Sequence, residues 1–216
     1  MNPDKMVLKE NAVVLIAECP QFKTVKAEKG KTNEEKEMIL GKYEELLKKL
    51  VSDHREQEYD FFVAYAPEDK LMEFQRIVGR INGIPQKGAD EGQIIKNAFI
   101  RLAEKYNKLV VITMPEENND NTIARNALVN LAKNKIVLKK SEQTEGYYSV
   151  IGMNLEGLQK PFNLFDNIPW GTDSVMDETI KILELKGLSY ALIEDKRKIK
   201  SYDDDLEYDE DEESIN

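Results

Sequence analysis

The sequence predicts an α/β fold with three layers, α/β/α, built on a mostly parallel central sheet. Three observations predict it. Short apolar runs alternate with helical patterns along the chain. The run KLVVIT at 108–113 is continuous and β-branched rather than alternating, the pattern of a strand covered on both faces. Nothing between residues 11 and 194 reads as a linker, so residues 1–200 are expected to form one domain, with 201–216 as a disordered acidic tail.

The elements follow in order. NAVVLIA at 11–17 reads as a buried strand. Residues 33–53 read as a long amphipathic helix, with Met38, Ile39, Tyr43, Leu46, Leu47 and Leu50 along one face. YDFFVAYA at 59–66 is a second strand. Residues 68–80 read as a helix that turns Leu71, Phe74, Ile77 and Val78 inward. Another spans 91–106, with Ile94, Ile95, Ala98, Phe99 and Leu102 at helical spacing. After the strand at 108–113 come a helix at 122–133 and strands at 135–139 and 147–153. A last helix at 173–185 stops before Gly187, a good residue for a helix end, and 188–194 is a final strand.

Composition bounds the function. With 216 residues, 41% of them hydrophobic, the chain can bury a substantial core. No run of eighteen apolar residues exists, so no membrane-spanning helix is expected, and the apolar run near the start is short for a signal peptide. A soluble cytoplasmic protein without a membrane partner is the expectation. The lone Cys19 cannot form an internal disulfide and reads as a small packed thiol. The lone His54, in a polar helix end, excludes mechanisms that need two imidazoles and is given no role. The net charge of −10 sits mostly in the last sixteen residues, which hold nine carboxylates and no cation. The body carries 31 basic and 32 acidic residues, so no nucleic-acid partner is expected. Nothing in the sequence sets the oligomeric state.

In parallel α/β sheets, ligands bind beyond the carboxyl ends of the strands. That directs attention to residues 18–32, 84–92, 114–121 and the segment after 139. The first offers Lys23 and Lys26 as phosphate partners. The second, GIPQKGADEG, places Gln86, Gly88 and Asp90 before a helix; Asp90 can cap it, and the spacing matches neither a Walker loop nor a Rossmann fingerprint. The third puts Glu116 at the end of the best strand, where a carboxylate could hold Mg²⁺ or Mn²⁺, or serve a plain turn. The fourth carries Glu145, Tyr147 and Tyr148, and further on the unusual Pro169-Trp170-Gly171-Thr172, a stacking platform or core packing.

These residues carry a resemblance. The segment IPWGT at 168–172, followed by a helix and a strand, resembles the C-terminal part of an uncharacterised family of GT-A-type glycosyltransferase-like proteins, with the nucleotide-diphospho-sugar transferase fold. Pro20, Val25 and Lys26 resemble its K-A-P-x-x-G-x-V-K opening. Gln86, Gly88, Asp90 and Gly92 resemble its Q-x-G-x-D-x-G segment. Glu145, Gly146, Tyr148 and Gly152 resemble its D-G-G-Y-Y-x-x-G segment. The resemblance implies a nucleotide-sugar-dependent glycosyltransferase or a related nucleotidyltransferase, with a nucleotide or nucleotide sugar as partner. It implies Pro20, Lys23, Lys26, Gln86, Gly88 and Asp90 on the nucleotide and phosphates, and Glu145 as the base toward the acceptor. Tyr148, Trp170, Gly171 and Thr172 fall on the acceptor side, and Glu116 on Mg²⁺ or Mn²⁺.

The chain also departs from that pattern. Ala27 and Glu28 replace the Thr and Arg of the opening, and Lys23 replaces its Gly. Pro115 stands where the family has a metal-binding Asp, with Glu116 next to it, and Tyr147 replaces a glycine. Lys198-Ile199-Lys200 stands for a D-x-D segment. An altered active site is therefore expected, and a catalytically inactive binding or scaffold protein on the same fold is the alternative.

Overall fold

A computed structural model of the chain describes residues 9–22, 32–158 and 161–194. The expectations for Lys23, Lys26, residues 196–200 and the tail at 201–216 lie outside the described residues.

Among the described residues seven strands form one sheet in the order β3-β2-β1-β4-β6-β5-β7. They are β1 (Lys9–Glu18), β2 (Asp60–Ala66), β3 (Gly83–Pro85), β4 (Tyr106–Ile112), β5 (Ile136–Lys140), β6 (Tyr148–Asn154) and β7 (Tyr190–Leu192). β6 alone runs against its neighbours β4 and β5; the other pairs are parallel. Among the described residues five α-helices cover the sheet: α1 (Asn33–Asp53), α2 (Leu71–Val78), α3 (Glu91–Leu102), α4 (Asn121–Asn130) and α5 (Val175–Leu185).

The continuous apolar strands divide their side chains between two cores. Ala12, Val14, Leu109 and Val111 pack with Ile95 and Phe99 of α3 and Val175 and Leu183 of α5. Val13, Leu15, Val110 and Ile112 pack with Leu47 of α1, Phe74 of α2 and Ala127 of α4. Alternate side chains point to opposite faces, so a strand buried on both must be apolar throughout. The expected three layers are thereby present.

Local chemistry sets the ends. Thr32 and Glu35 cap α1 reciprocally, and that helix has the bounds its periodicity predicts. α2 is shorter than expected because the Lys70 amide donates to Pro67 O (3.1 Å), closing a turn before Leu71, and Gly79 at φ 80° ends the helix. α3 also stops early. The Lys105 amide donates to Leu102 O (2.9 Å), and Tyr106, expected in the helix, instead opens β4 beside Lys9. Its hydroxyl donates to Asp60 Oδ2 (2.5 Å). β3 was not expected at all. It is a three-residue edge strand, the position where Pro85 removes no needed donor.

Candidate functional site

At the carboxyl edge of the sheet a cavity of about 330 Å³ opens between the ends of β1 and β4, the start of β6 and the first turn of α3. Its walls come from Ile16, Ala17 and Glu18; from Gln86; from Glu91, Ile94 and Ile95; from Thr113, Met114 and Pro115; and from Tyr43, Tyr147, Tyr148 and Trp170. Wider hollows lie elsewhere, one of about 430 Å³ sharing Gln86 beside β3. The smaller cavity is the one that gathers Gln86, Pro115, Tyr148 and Trp170, which are far apart in sequence.

Gln86 is locked in place. Its Nε2 donates to Ala17 O and Ala64 O (both 2.8 Å), and its backbone amide donates to Tyr65 O (2.9 Å). Both side-chain protons are thus spent across the ends of β1 and β2, which fixes the amide orientation and leaves Oε1 as an acceptor. Asp90 caps α3: its Oδ1 accepts from the Gln93 amide (2.8 Å), and Oδ2 from Gln93 Nε2 (3.0 Å). The glycines of the segment serve packing. Gly88 has φ 147°, and a Cβ there would stand 2.7 Å from the Ile94 nitrogen. A Cβ on Gly92 would come within 2.1 Å of Trp170 Cε2. The Gln86–Gly92 segment and the Trp170 segment are therefore complementary halves of one wall.

Trp170 stands edge-on to Tyr148 at 6.3 Å between ring centroids. Tyr148 is buried, and burial raises its pKa; its hydroxyl lies toward Thr179 without completing a well-formed hydrogen bond among the described residues. The Tyr147 hydroxyl accepts from the Gly171 amide (2.5 Å). Burial raises its pKa first, and the neighbouring Glu91 carboxylate adds to the rise. Gly171, at φ 86°, turns the chain after Trp170. Thr172 does not line the cavity. Its Oγ1 donates to Pro169 O (2.8 Å) and lies 2.9 Å from Ser174 Oγ, so it closes a turn. Gly146 at φ 73° meets the start of α5 so closely that a Cβ would fall 1.6 Å from Asp173 O, which ties the β5–β6 turn to that helix.

Glu116 lies outside the cavity lining, buried and fully engaged. Its Oε1 accepts from Ser141 Oγ (2.5 Å) and from the Glu142 and Gln143 amides (3.1 and 3.4 Å). Its Oε2 pairs with Lys139 Nζ (3.4 Å) and accepts from Asn119 Nδ2 (3.5 Å). Lys139, also buried, donates to Asn118 Oδ1 and Ser149 Oγ (both 3.2 Å). The network reaches His54, whose Nε2 lies 3.1 Å from Asn119 O and whose Nδ1 lies 2.7 Å from the Tyr59 hydroxyl. His54 does stand at the end of α1, as expected, but there it is buried and stacked on Phe61; burial lowers its pKa.

A carboxylate holding five donors does not fit a metal ion, so the expected role of Glu116 is corrected to a buried anchor of the 114–120 loop. Among the described residues no group of three or more His, Cys, Asp or Glu could hold a metal ion. Glu145 is exposed on the β5–β6 turn, away from the lining; the carboxylates at the cavity are Glu18 and Glu91, which the sequence reading passed over. Pro20, Gly88 and Asp90 do not line the cavity: Pro20 is buried in the turn after β1, and Asp90 lines a separate hollow beside Gly92 and Lys96.

A family model described as "uncharacterized protein conserved in bacteria (DUF2064)" matches residues 50–172. The chain belongs to the DUF2064 family. Solved structures match its fold. One, from Desulfovibrio desulfuricans G20 and described as a "putative nucleotide-diphospho-sugar transferase", is 18% identical with a TM-score of 0.76, over 86% of this chain and 80% of that one. Another is a 4-diphosphocytidyl-2C-methyl-D-erythritol synthase from Anaerococcus prevotii DSM 20548, at 11% identity and TM-score 0.53 over 86% of both chains. A third, CMP:2-keto-3-deoxy-manno-octonic acid synthetase complexed with CTP, is 11% identical at TM-score 0.50, over 87% of this chain and 90% of that one. No curated protein matches. The DUF2064 chain thus has the nucleotide-diphospho-sugar transferase fold. The matched region runs from the end of α1 through Trp170, so it contains both halves of the Gly92–Trp170 wall and the whole Glu116 network.

Proposed function

We propose that the cavity at the carboxyl edge holds a nucleotide or nucleotide sugar, and that the chain is a nucleotide-sugar-dependent transferase-like protein with an altered active site. The observation that carries this is the meeting of Ala17, Gln86, Pro115, Tyr148 and Trp170 around one hollow. It lies where parallel α/β sheets take their ligands. Gln86 Oε1 offers a fixed acceptor to a base or sugar edge, and Trp170 a ring for stacking. Lys23 and Lys26 remain the phosphate partners in this reading, as point charges. Glu91, at the cavity, takes over from Glu145 as the carboxylate within reach of an acceptor.

A second reading, a non-catalytic binder on the same fold, is favoured by one observation: the carboxylate beside the family's metal position is consumed by Lys139 and four other donors. Calorimetry with CTP, CDP, UDP, GDP and their sugar conjugates, with and without Mn²⁺, tests binding. Saturable heat that Gln86→Ala weakens supports the proposal; no heat from any of them removes it. Release of nucleoside diphosphate from a bound conjugate, abolished in Glu91→Gln, decides for the transferase over the binder.

A further inference from the structure

We propose that Tyr148 reads the sugar of the ligand: its hydroxyl donates a hydrogen bond to an uncharged oxygen, a hydroxyl or carbonyl, of a glycosyl group seated against Trp170. The inference rests on reading the cavity as the substrate site, and it puts the glycosyl end of the ligand on the Trp170 side.

The observation behind it is a buried donor with no acceptor. Tyr148 is 1% exposed and lines the cavity. Its hydroxyl oxygen has no hydrogen-bond partner among the described residues. Thr179 faces it, but Thr179 Oγ1 donates to Val175 O (2.7 Å), and no well-formed bond joins the two hydroxyls. Buried polar groups are nearly always paired, and leaving one unpaired costs stability, so an exception in a cavity wall points to a ligand. The neighbouring hydroxyls show the ordinary case. Tyr147 Oη accepts from the Gly171 amide (2.5 Å) and gives its proton to Glu91. Thr113 Oγ1 donates to Tyr148 O (2.7 Å), which ties the start of β6 to the end of β4.

The surroundings of the hydroxyl select its acceptor. Burial holds the phenol protonated, so it acts as a neutral donor. Trp170 stands edge-on to its ring at 6.3 Å. One neutral donor suffices for a hydroxyl or carbonyl oxygen, whose desolvation is offset by a single bond. A phosphate or carboxylate oxygen brought to the same enclosed spot would give up its water for that one bond, at a far larger cost. Trp170 adds a ring against which the C–H face of a sugar can pack. It is also the neighbour that can yield to a ligand: it is partly buried, and its Nε1 reaches Phe165 O at 3.4 Å, beyond the usual hydrogen-bond range.

Tyr148→Phe removes the hydroxyl and keeps the ring. Calorimetry compares this variant with the parent for CDP, UDP and GDP and for CDP-glucose, UDP-glucose and GDP-mannose. The proposal expects the tightest-binding conjugate to lose about tenfold in affinity and the matching bare diphosphate to stay within about twofold. It expects the melting midpoint of the ligand-free variant to equal or exceed the parent's, because a buried hydroxyl without a partner adds nothing to folding. A lower midpoint would show the hydroxyl already bonded within the protein and would overturn the inference. An unchanged conjugate affinity, an equal loss for the bare diphosphate, or a parent that binds diphosphates but no conjugate also overturns it, and each leaves the substrate-site reading standing. If the parent binds neither diphosphates nor conjugates, that reading falls and the inference falls with it.

Discussion

Replacing Gly92 by alanine isolates the packing that builds the cavity wall. Residue 92 lies in the first turn of α3 at an ordinary backbone angle, so alanine alone would favour the helix by about 0.5–1 kcal/mol. The added methyl, however, would sit 2.1 Å from both Trp170 Cε2 and Nε1, a separation no carbon tolerates. The indole must move, and overpacking of this kind costs about 1–3 kcal/mol. The net expectation is a destabilisation of about 1–2 kcal/mol, read from urea unfolding, with red-shifted Trp170 emission as the ring leaves the wall. The decisive control is the same change in a Trp170→Ala background. With the clash gone, only the helix preference remains, so Gly92→Ala should then stabilise the protein by about 0.5–1 kcal/mol. A Gly92→Ala protein at least as stable as the parent, with unchanged emission, would refute the interlock.

Three further outcomes follow from the same geometry. His54 is the only histidine, and burial holds its pKa below the ordinary 6.5. The unfolded chain therefore binds the extra proton first, and the stability His54 contributes is complete above about pH 6.5 and declines as pH falls below it; in His54→Phe the urea midpoint should lose that slope between pH 7.5 and 5.5. Glu116→Gln or Lys139→Met alone should cost about 3–5 kcal/mol of unfolding free energy by stranding a buried partner, and the double variant less than the two single costs added; additive losses would show that the two side chains do not form one unit. Asp90→Ala removes the α3 cap and should cost about 1 kcal/mol, while leaving any ligand affinity within about twofold if Asp90 only caps the helix.

Much of this fold is legible in the residues themselves. The apolar run at 109–112 announces a strand covered on both faces because no polar residue can be tolerated there, and α1 carries its own capping box. β3 is illegible because three residues ending in proline form a strand only when β2 supplies the partner. Tyr106 extends the α3 pattern by a perfectly spaced apolar residue, and only its pairing with β1 shows that it belongs to β4. The direction of β6 is likewise a property of the assembled sheet.

The candidate site divides in the same way. Gly88, Gly92 and Trp170 could be singled out because glycine and a lone tryptophan between Pro and Gly carry strong steric meaning. Carboxylates carry little until their neighbours are known. Glu116 and Glu145 look alike in sequence, yet one is buried against a lysine on β5 and the other is exposed. The available signal was Lys139 itself, a cation inside a strand that otherwise points apolar side chains into the core. Glu91 was hidden beside the Asp90 cap, and only the approach of Tyr147 marks it as a wall residue.

Hydrogen exchange in the presence of saturating CDP or UDP tests the central claim most directly. Binding in the proposed cavity should slow exchange together in peptides containing residues 17–18, 86–95, 113–115 and 147–148, four stretches far apart in sequence that meet around that hollow. Protection confined to the opposite edge of the sheet, around Arg55, Asn82 and Arg80, would contradict the account and place the ligand elsewhere.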